Sequence, residues 1–507
     1  MSWHSVAELM NDRMIFKSVV YFYVITIVTV CLLWVVSRGM FIYSKDETFV
    51  AVSFLGIGAL AIVCLSQAVF HSGISLFAIH WFFVLTFFFI VPFIQHLGNL
   101  FLHDVESDNL LTGNVLILAW CLVYLFSYQY AVQRTRACSR GMPLLLKKRI
   151  DLRLPKGRLC FLTAMSIVAA CWLLIVAGPG SFLTRGSYNA FVGRLGGWGP
   201  LTLLITYYLR PLLFCILVLF VGVLRLLGKG KRTPILWLCF FLSFLVNVLV
   251  NNPVSYPRFM FFCMVFGLCV LVSLRRLKPS LIYLYVLLLG LPLSHFVNIF
   301  REVHPKLWQG LIFDGDRSLL FSGNFDAYEN FIHTINYVAD SGIVFGRQLG
   351  GAFVFFVPRS FWPGKPLGSG YFIGEFLAEK FAITHLNIAN PLISEMYLNF
   401  HVLGVVVGAV LYGLVTGWLD KHYWLLIKGR DIQQDNAQQG VPFYQLLYPF
   451  LLGLYLFHLR GDFMSSFAYA VGFVLAFLTV VIFLKLRISD EVKNGATFEN
   501  CHHNLLF

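Results

Sequence analysis

Long apolar runs recur along this sequence and limit its fold more than any other feature. They extend over roughly 18 to 25 residues, the length at which a helix crosses a hydrocarbon core of about 30 Å. Backbone groups in lipid must find hydrogen-bond partners within their own segment, so such runs form helices and not open sheets. Charged residues make up 12% of the chain, against about 25% in soluble domains. The sequence therefore predicts an all-α, polytopic helical membrane protein.

The positions of these runs predict about twelve transmembrane helices. The predicted spans cover residues 16–36, 49–70, 75–95, 112–131, 159–178, 201–224, 234–250, 259–274, 281–300, 392–418, 442–459 and 464–484. The N-terminus lacks a short apolar core followed by a small-residue cleavage site, which favours a retained first span over a removed signal peptide.

The distribution of positive charge predicts the orientation of the spans. Lys and Arg are concentrated in the loops 132–158, 225–233 and 275–279, whereas an acidic loop at residues 104–108 has the opposite parity. Basic loops stay in the cytoplasm, so we expect both termini there as well. The net charge of +14 follows from these loops and does not indicate a nucleic-acid partner. The eleven cysteines show no zinc-ligand spacing, and we expect no disulfide.

The span pattern divides the chain into four parts. Residues 1–300 hold the first nine spans, and residues 301–391 form a large loop on the outer side. Residues 392–484 hold the last three spans, and residues 485–507 form a cytoplasmic tail. The outer loop is too long for a passive connection, which suggests that it carries function.

Two segments of the large loop have the periodicity of short amphipathic helices. In residues 324–338 the apolar residues share one face, and Asp326, Asn330 and His333 lie on the other. Residues 371–381 form the second such segment. We expect the first helix to lie along the membrane interface.

The stretch FVPRSFWPGKP, residues 356–366, is the most unusual part of the loop. Its prolines are expected to fix the backbone around Arg359 and Lys365. Three further arginines, Arg258, Arg301 and Arg460, fall at outer span ends from different parts of the chain. Arginine binds phosphate or pyrophosphate with two parallel hydrogen bonds, so a cluster at this depth suits a lipid-linked anion.

Other arginines leave alternatives open. Arg185 and Arg194, also on the outer side, would either join this cluster or extend toward lipid phosphates. Arg210 lies within a predicted span beside Pro211. A charge in that position indicates either a functional site or a pairing with a carbonyl near the proline break.

Acidic and imidazole side chains supply the candidates for acid–base chemistry. Glu395 and Asn399 lie four residues apart at the start of the tenth span, where Glu395 is either a general base or the group that orients an arginine. His333 and His295 are weaker candidates for the base, and Asp462 is expected to pair with Arg460. The acidic pair in DGD, residues 314–316, is best explained as a solvated turn, and no metal site is expected.

Two motifs together resemble the Wzy-type O-antigen polymerases, which join oligosaccharide repeat units. These polymerases have ten to fourteen spans and a large, late periplasmic loop, with a PR-x-x-WP-x-KP-like segment before an Asn-Pro, Glu and Asn-Phe pattern. The matching positions here are Pro358, Arg359, Trp362, Pro363, Lys365, Pro366, Asn390, Pro391, Glu395, Asn399 and Phe400. Arg359 and Gly370 also fit an Arg-x10-Gly spacing of some members. The motif resemblance covers roughly residues 320–420, a fifth of the chain.

The resemblance implies a GT-C-like glycosyltransferase of the bacterial inner membrane that needs no cofactor. It would polymerise undecaprenyl-pyrophosphate-linked repeat units at the periplasmic face, with membrane lipids around it and a chain-length regulator as a further partner. The implied catalytic residues are Arg359 and Glu395. The motif positions Lys365, Asn399 and Trp362 are expected to bind substrate, together with the outer arginines Arg258, Arg301 and Arg460.

Two other functions fit the same features. An O-antigen ligase uses the same donor but transfers the glycan to the lipid A core. A lipid-linked oligosaccharide flippase or another transporter would place its polar residues near the bilayer midplane, often on broken helices related by a repeat. The polar residues gather here at one interface and in one loop, which favours transfer of a glycan over transport.

Overall fold

The computed structural model is helical, as the apolar runs predict. It describes residues 45–71, 74–98, 101, 103, 105, 107–137, 149–150, 156–183, 185–194, 199–226, 233–273, 325–359, 361–382, 388–431 and 441–483. The predicted spans 16–36 and 281–300, Arg301, the DGD segment and the tail after residue 484 lie outside these residues.

Fourteen helical segments, numbered α1 to α14, make up the described part of the chain. The first six are α1 (Lys45–His71), α2 (Leu76–Phe83, Val84–Ile90 and Val91–Gly98), α3 (Ser107–Ala137), α4 (Lys156–Ala177), α5 (Arg185–Arg194) and α6 (Pro200–Leu203, Leu204–Leu209 and Arg210–Leu226). The other eight are α7 (Pro234–Val250), α8 (Arg258–Ser273), α9 (Ala327–Ser341), α10 (Arg347–Phe353), α11 (Ser369–Phe381), α12 (Leu392–Asp431), α13 (Phe443–Arg460) and α14 (Phe463–Phe483). The middle pieces of α2 and α6 are π-helical, and a 3-10 turn, Pro179–Phe182, follows α4.

Seven of these helices have the length and hydropathy of membrane spans. Within the described residues, α1, α2, α3, α4, α6, α12 and α14 are long and apolar enough to cross a bilayer. The shorter apolar helices α7 and α8 coincide with two more predicted spans, and α13 with another. The polytopic helical class is therefore correct, and the total of twelve spans stays a prediction.

The packing of α12 against α3 forms the centre of the bundle. Gly413 and Gly417 face α3, where a Cβ atom on either glycine would come within 2.7 to 2.8 Å of the backbone oxygens of Tyr124 and Tyr128. Small residues four apart let two helices approach closely inside a membrane, where apolar burial alone gives little preference for a partner.

A buried carboxylate fastens α12 to the start of α2. Asp420 accepts hydrogen bonds from the backbone N–H groups of Leu76 and Phe77 and from the hydroxyls of Tyr128 and Tyr448. Four donors compensate the cost of burying this charge, and two of them come from a helix N-terminus, where negative charge is favoured.

A short antiparallel pair joins two connections between helices. Strand β1 (Arg149–Ile150), before α4, pairs with β2 (Val441–Pro442), before α13. The pairing brings these two connections to the same end of the bundle, as the predicted topology requires.

Helix α9 corrects one expectation about the large loop. Its polar face was predicted to meet the membrane interface, but Asn330 and His333 are as buried as Phe331 and Ile332. The helix packs among α2, α3, α11 and α12, and Tyr328 donates a hydrogen bond to Asn114 Oδ1 at 2.8 Å. Amphipathic periodicity identified the helix but not its surroundings, because polar partners from other helices let both faces be buried.

Candidate functional site

Three segments distant in sequence meet at one end of the bundle. They are the loop 354–368 after α10, the first turn of α12, and the turn between α13 and α14. Ser369 Oγ and the Phe463 N–H both donate to Oε1 of Glu395, the latter over 3.0 Å. A Cβ atom on Gly368 would come within 2.5 Å of Oδ1 of Asp462, so these segments are in close contact.

The motif loop is held together by its own two cations. Arg359 Nη1 donates to the Lys365 carbonyl, and Nη2 donates to the Pro366 carbonyl over 3.0 Å. Lys365 Nζ donates to the carbonyls of Phe355 and Val357 at 2.6 and 3.0 Å. Hydrogen bonds from these two side chains therefore shape the loop together with its prolines.

The two cations differ in their capacity to bind a substrate. Lys365 is 8% exposed, and its burial, with a smaller effect of Arg359, lowers its pKa. Arg359 is half-buried, and a guanidinium has five N–H donors, so two carbonyl contacts use only part of its capacity. The geometry favours Arg359 as the anion-binding group. Lys365 instead stabilises the loop through its hydrogen bonds to the Phe355 and Val357 carbonyls.

Aromatic side chains surround the motif on its exposed side. Trp362 is 39% exposed, and Phe345, Phe356 and Phe361 are exposed further. An apolar surface of this kind, next to a cationic loop, is typical of the membrane–water boundary.

Glu395 and Asp462 form a buried pair of carboxyl groups. Phe463, whose N–H donates to Glu395, directly follows Asp462 in the chain, and both carboxyls are nearly inaccessible to solvent. Asp462 also caps α14, because its side chain accepts from the N–H groups of Met464 and Ser465 and from Ser465 Oγ at 2.5 Å. Burial raises the pKa of Asp462 above its ordinary value.

Arg460 has a different partner from the one predicted. Its Nη2 donates to Asp326 Oδ1 over 3.0 Å, and its guanidinium carbon lies 4.3 Å from the centre of the Phe259 ring. Burial raises the pKa of Asp326 to about 6, although Arg460 opposes that shift. The expected pairing of Arg460 with Asp462 is wrong, since Asp462 is engaged in capping α14.

Arg258 lies near Arg460, as the arginine-cluster hypothesis requires. Arg258 is half-buried at the start of α8, and the next residue, Phe259, carries the ring that the Arg460 guanidinium contacts. Arg359 lies in the loop that leads to Ser369, and Arg301 lies outside the described residues. The predicted binding of an anion by Arg258, Arg359 and Arg460 together stays a prediction.

Helix α12 breaks close to the site. Phe400 and His401 leave the helical region of backbone angles, and His401 has a φ of 56°. The break frees the Leu398 carbonyl, which accepts from the Val344 N–H over 3.0 Å. Asn399, just before the break, donates to the Glu395 carbonyl, whereas its Oδ1 has no hydrogen-bond partner within the described residues.

Of the three other arginines considered above, the structure describes the side chains of Arg210 and Arg194. Arg210 is fully buried, donates to the Val250 carbonyl and lies 4.2 Å from the Tyr256 ring centre, which supports the carbonyl-pairing alternative. Arg194 is exposed at the end of α5, and the side chain of Arg185 lies outside the described part.

Some residues at the site had no signal in the sequence. His458 contacts the Tyr412 hydroxyl at 2.5 Å and Ser466 Oγ at 2.8 Å. Tyr412 and Glu395 also interact electrostatically. These contacts join α12, α13 and α14 through side chains on different helices. No local spacing could have indicated them.

No family model, no curated protein and no solved structure matches the chain.

Proposed function

We propose that this protein polymerises undecaprenyl-pyrophosphate-linked oligosaccharide repeat units into O-antigen or a related surface polysaccharide. One observation supports the proposal most strongly. The two motifs that resemble the Wzy-type polymerases, one around Arg359 and one around Glu395, are joined in space through Ser369. This contact supports the proposal because it brings the two motif segments of this chain together.

In the proposed reaction, the bond between the anomeric carbon of the growing glycan and its pyrophosphate carrier breaks. A sugar hydroxyl of the next lipid-linked unit forms the new bond to that carbon, and its proton passes to the departing pyrophosphate or to water. Pyrophosphate is a good leaving group, so the protein must chiefly position two substrates and stabilise the negative charge that develops. Among the described residues, Arg359 donates to the carbonyls of Lys365 and Pro366, so further N–H groups of its guanidinium remain for that negative charge.

Glu395 is proposed as a positioning residue. It is 2% exposed and already accepts hydrogen bonds from Ser369 and from the start of α14. Through Ser369 it holds the end of the loop that carries Arg359. A direct role as general base would require its carboxylate to reach a sugar hydroxyl.

The length of surface glycan tests this function. The experiment expresses the protein in a polymerase-null host that makes the matching repeat unit, and compares it with Arg359→Ala at equal protein level. We expect long chains with the unaltered protein and lipid A core bearing a single repeat unit with the variant. Full-length glycan from Arg359→Ala would exclude the proposed role of the motif.

Deletion of the gene from its own host separates the two alternatives, because a polymerase-null host still supplies its own ligase and flippase. Loss of an O-antigen ligase leaves lipid A core with no repeat unit, and loss of a flippase traps repeat units on the cytoplasmic face. The break in α12 at Phe400 and His401 gives the transporter alternative some support, since broken helices form transport sites. Trapped repeat units on the cytoplasmic face would therefore favour transport over polymerisation.

A further inference from the structure

A cluster of metal-ligating side chains joins helix α9 to the connection between α2 and α3. Glu329 and His333 are four residues apart and share one face of this helix, and His103 approaches from the connection between α2 and α3. One ligand atom from each residue lies within 4.8 Å of the other two. His103 Nδ1 is 2.6 Å from Glu329 Oε1, and His333 Nε2 is 3.6 Å from the same oxygen.

His333 is unusual because its imidazole lacks hydrogen bonds. The residue is 0% exposed, and neither ring nitrogen has a hydrogen-bond partner among the residues the structure describes. Leaving a buried polar group unpaired costs about 1–3 kcal/mol. A buried imidazole facing a carboxylate at 3.6 Å, too far for a hydrogen bond, therefore needs another explanation.

The surroundings of the cluster are closed on one side and open on the other. The Phe381 ring packs against both imidazoles, with ring centres 5.1 Å from His103 and 5.6 Å from His333. The side chain of Glu329 is 1% exposed, whereas that of His103 is 19% exposed. An ion could reach the cluster past His103 and would be shielded from water by the aromatic ring.

We propose that His103, Glu329 and His333 bind a divalent transition-metal ion, with Zn²⁺ as the best fit. Two imidazoles and one carboxylate are a ligand set of known zinc sites with an open fourth position. Zinc–nitrogen bonds of about 2.0–2.1 Å place tetrahedral ligands about 3.3 Å apart, near the 3.6 Å between His333 and Glu329. The shorter His103–Glu329 contact is a hydrogen bond, whose proton leaves when the metal binds.

The ion would fasten the α2–α3 connection to α9. Glu329 lies one helical turn after Asp326, the partner of Arg460, so the metal would steady the helix that presents Asp326. The arginines of the transfer site keep their own contacts. The metal site thus goes beyond the proposed function, and either can fail without the other.

Metal content of the purified full-length protein tests the proposal. The protein is prepared in detergent micelles with an affinity tag that contains no histidine. Cys501, His502 and His503 near the C-terminus are replaced by Ser, Ala and Ala throughout, because a short run of Cys and His binds added zinc through its composition alone. After incubation with Zn²⁺ alone and gel filtration, elemental analysis should find about one zinc per chain.

Variants of the ligands show whether the zinc is at this site. His333→Gln should weaken zinc binding by about 100-fold or more, and His103→Gln by at least about 10-fold. His96→Gln, at the end of α2 and outside the cluster, is the matched control and should bind zinc normally. If His333→Gln does not elute as a single species, the partly exposed His103→Gln decides the question.

Cobalt provides a second readout that a purely structural role of His103 would not change. Co²⁺ alone should produce the visible absorption of a four-coordinate ion, and His103→Gln should abolish it. Absence of zinc and cobalt binding at micromolar free metal would overturn the proposal. Unchanged binding by both His103→Gln and His333→Gln would overturn it as well.

Discussion

Arg460 donates a hydrogen bond to Asp326 over 3.0 Å and thereby joins two residues that are 134 positions apart in sequence. Arg460 ends α13, and Asp326 precedes α9. Both side chains are nearly inaccessible to solvent. The ion pair therefore ties the helix of the large loop to the last helices of the bundle.

Removal of one partner of this pair should destabilise the protein strongly. Asp326→Ala removes the carboxylate that accepts from the buried Arg460 guanidinium, and we expect a loss of about 3 kcal/mol in the free energy of unfolding. Thermal unfolding in detergent micelles, followed by gel filtration of the soluble fraction, measures the change.

The double variant Asp326→Leu/Arg460→Met is the informative comparison. It replaces both charges with apolar groups of similar size and should recover much of the stability lost by Asp326→Ala. A double variant less stable than Asp326→Ala would show that the pair does not account for the loss.

Arg359 should be required for activity but not for folding. Arg359→Ala removes donors from a loop, and we expect polymer formation to fall by about 100-fold or more, as on removal of a preorganised donor to developing charge. Arg359→Lys should restore little of it, since an ammonium lacks the planar fork. The exposed Arg194→Ala is the matched control and should leave glycan length unchanged.

Glu395 should tolerate loss of its charge better than loss of its shape. Glu395→Gln retains a side-chain oxygen that can accept from Ser369 and Phe463, so we expect activity within about 10-fold of the unaltered protein. Glu395→Ala leaves both donors unpaired, at about 1–3 kcal/mol each, and should lose activity and stability together.

Glycan length measures the activity of the two Glu395 variants, and thermal unfolding measures their stability. A loss of about 100-fold or more in Glu395→Gln, at unchanged stability, would contradict the positioning role and indicate a general base.

Gly370 should not accept a larger side chain. A Cβ atom there would lie 2.0 Å from the Ile388 carbonyl oxygen, so Gly370→Ala must displace backbone and should cost about 2 kcal/mol or more. Gly350→Ala is the control, because within the described structure no atom lies within 4 Å of its added methyl group in α10. We expect Gly350→Ala to be neutral or to stabilise by up to about 1 kcal/mol. Equal melting temperatures of the two variants would argue against the close packing of α11 on residue 388.

The sequence identified several residues of the proposed site but not the contacts that they make. The segments around Arg359 and Glu395 could be recognised in the sequence because their composition differs from that of membrane helices. Lys365 was predicted as a substrate-binding residue, and its contacts to Phe355 and Val357 became visible only in the folded loop. Its role in binding stays a prediction, as do those of Trp362, Asn399 and Arg258.

The property that the sequence predicted least well was which polar side chains pair with one another. Asp462 follows Arg460 by two residues, and proximity in sequence favoured it as the partner. The side chain of Asp462 instead caps α14 and lies against Glu395, while Asp326 reaches Arg460 from another part of the chain. His333 was considered only as a base, because the approach of His103 could not be inferred from spacing.

The sequence by itself determined that this chain is a helical membrane protein with spans at many of the observed positions. The hydropathy of a segment and the need to satisfy its own backbone in lipid depend on that segment alone. Only the tertiary structure decided which polar groups meet: Arg460 with Asp326, Glu395 with Ser369, and His103 with Glu329. These contacts depend on how helices pack, and a buried charge takes whichever partner the packing brings within hydrogen-bonding distance.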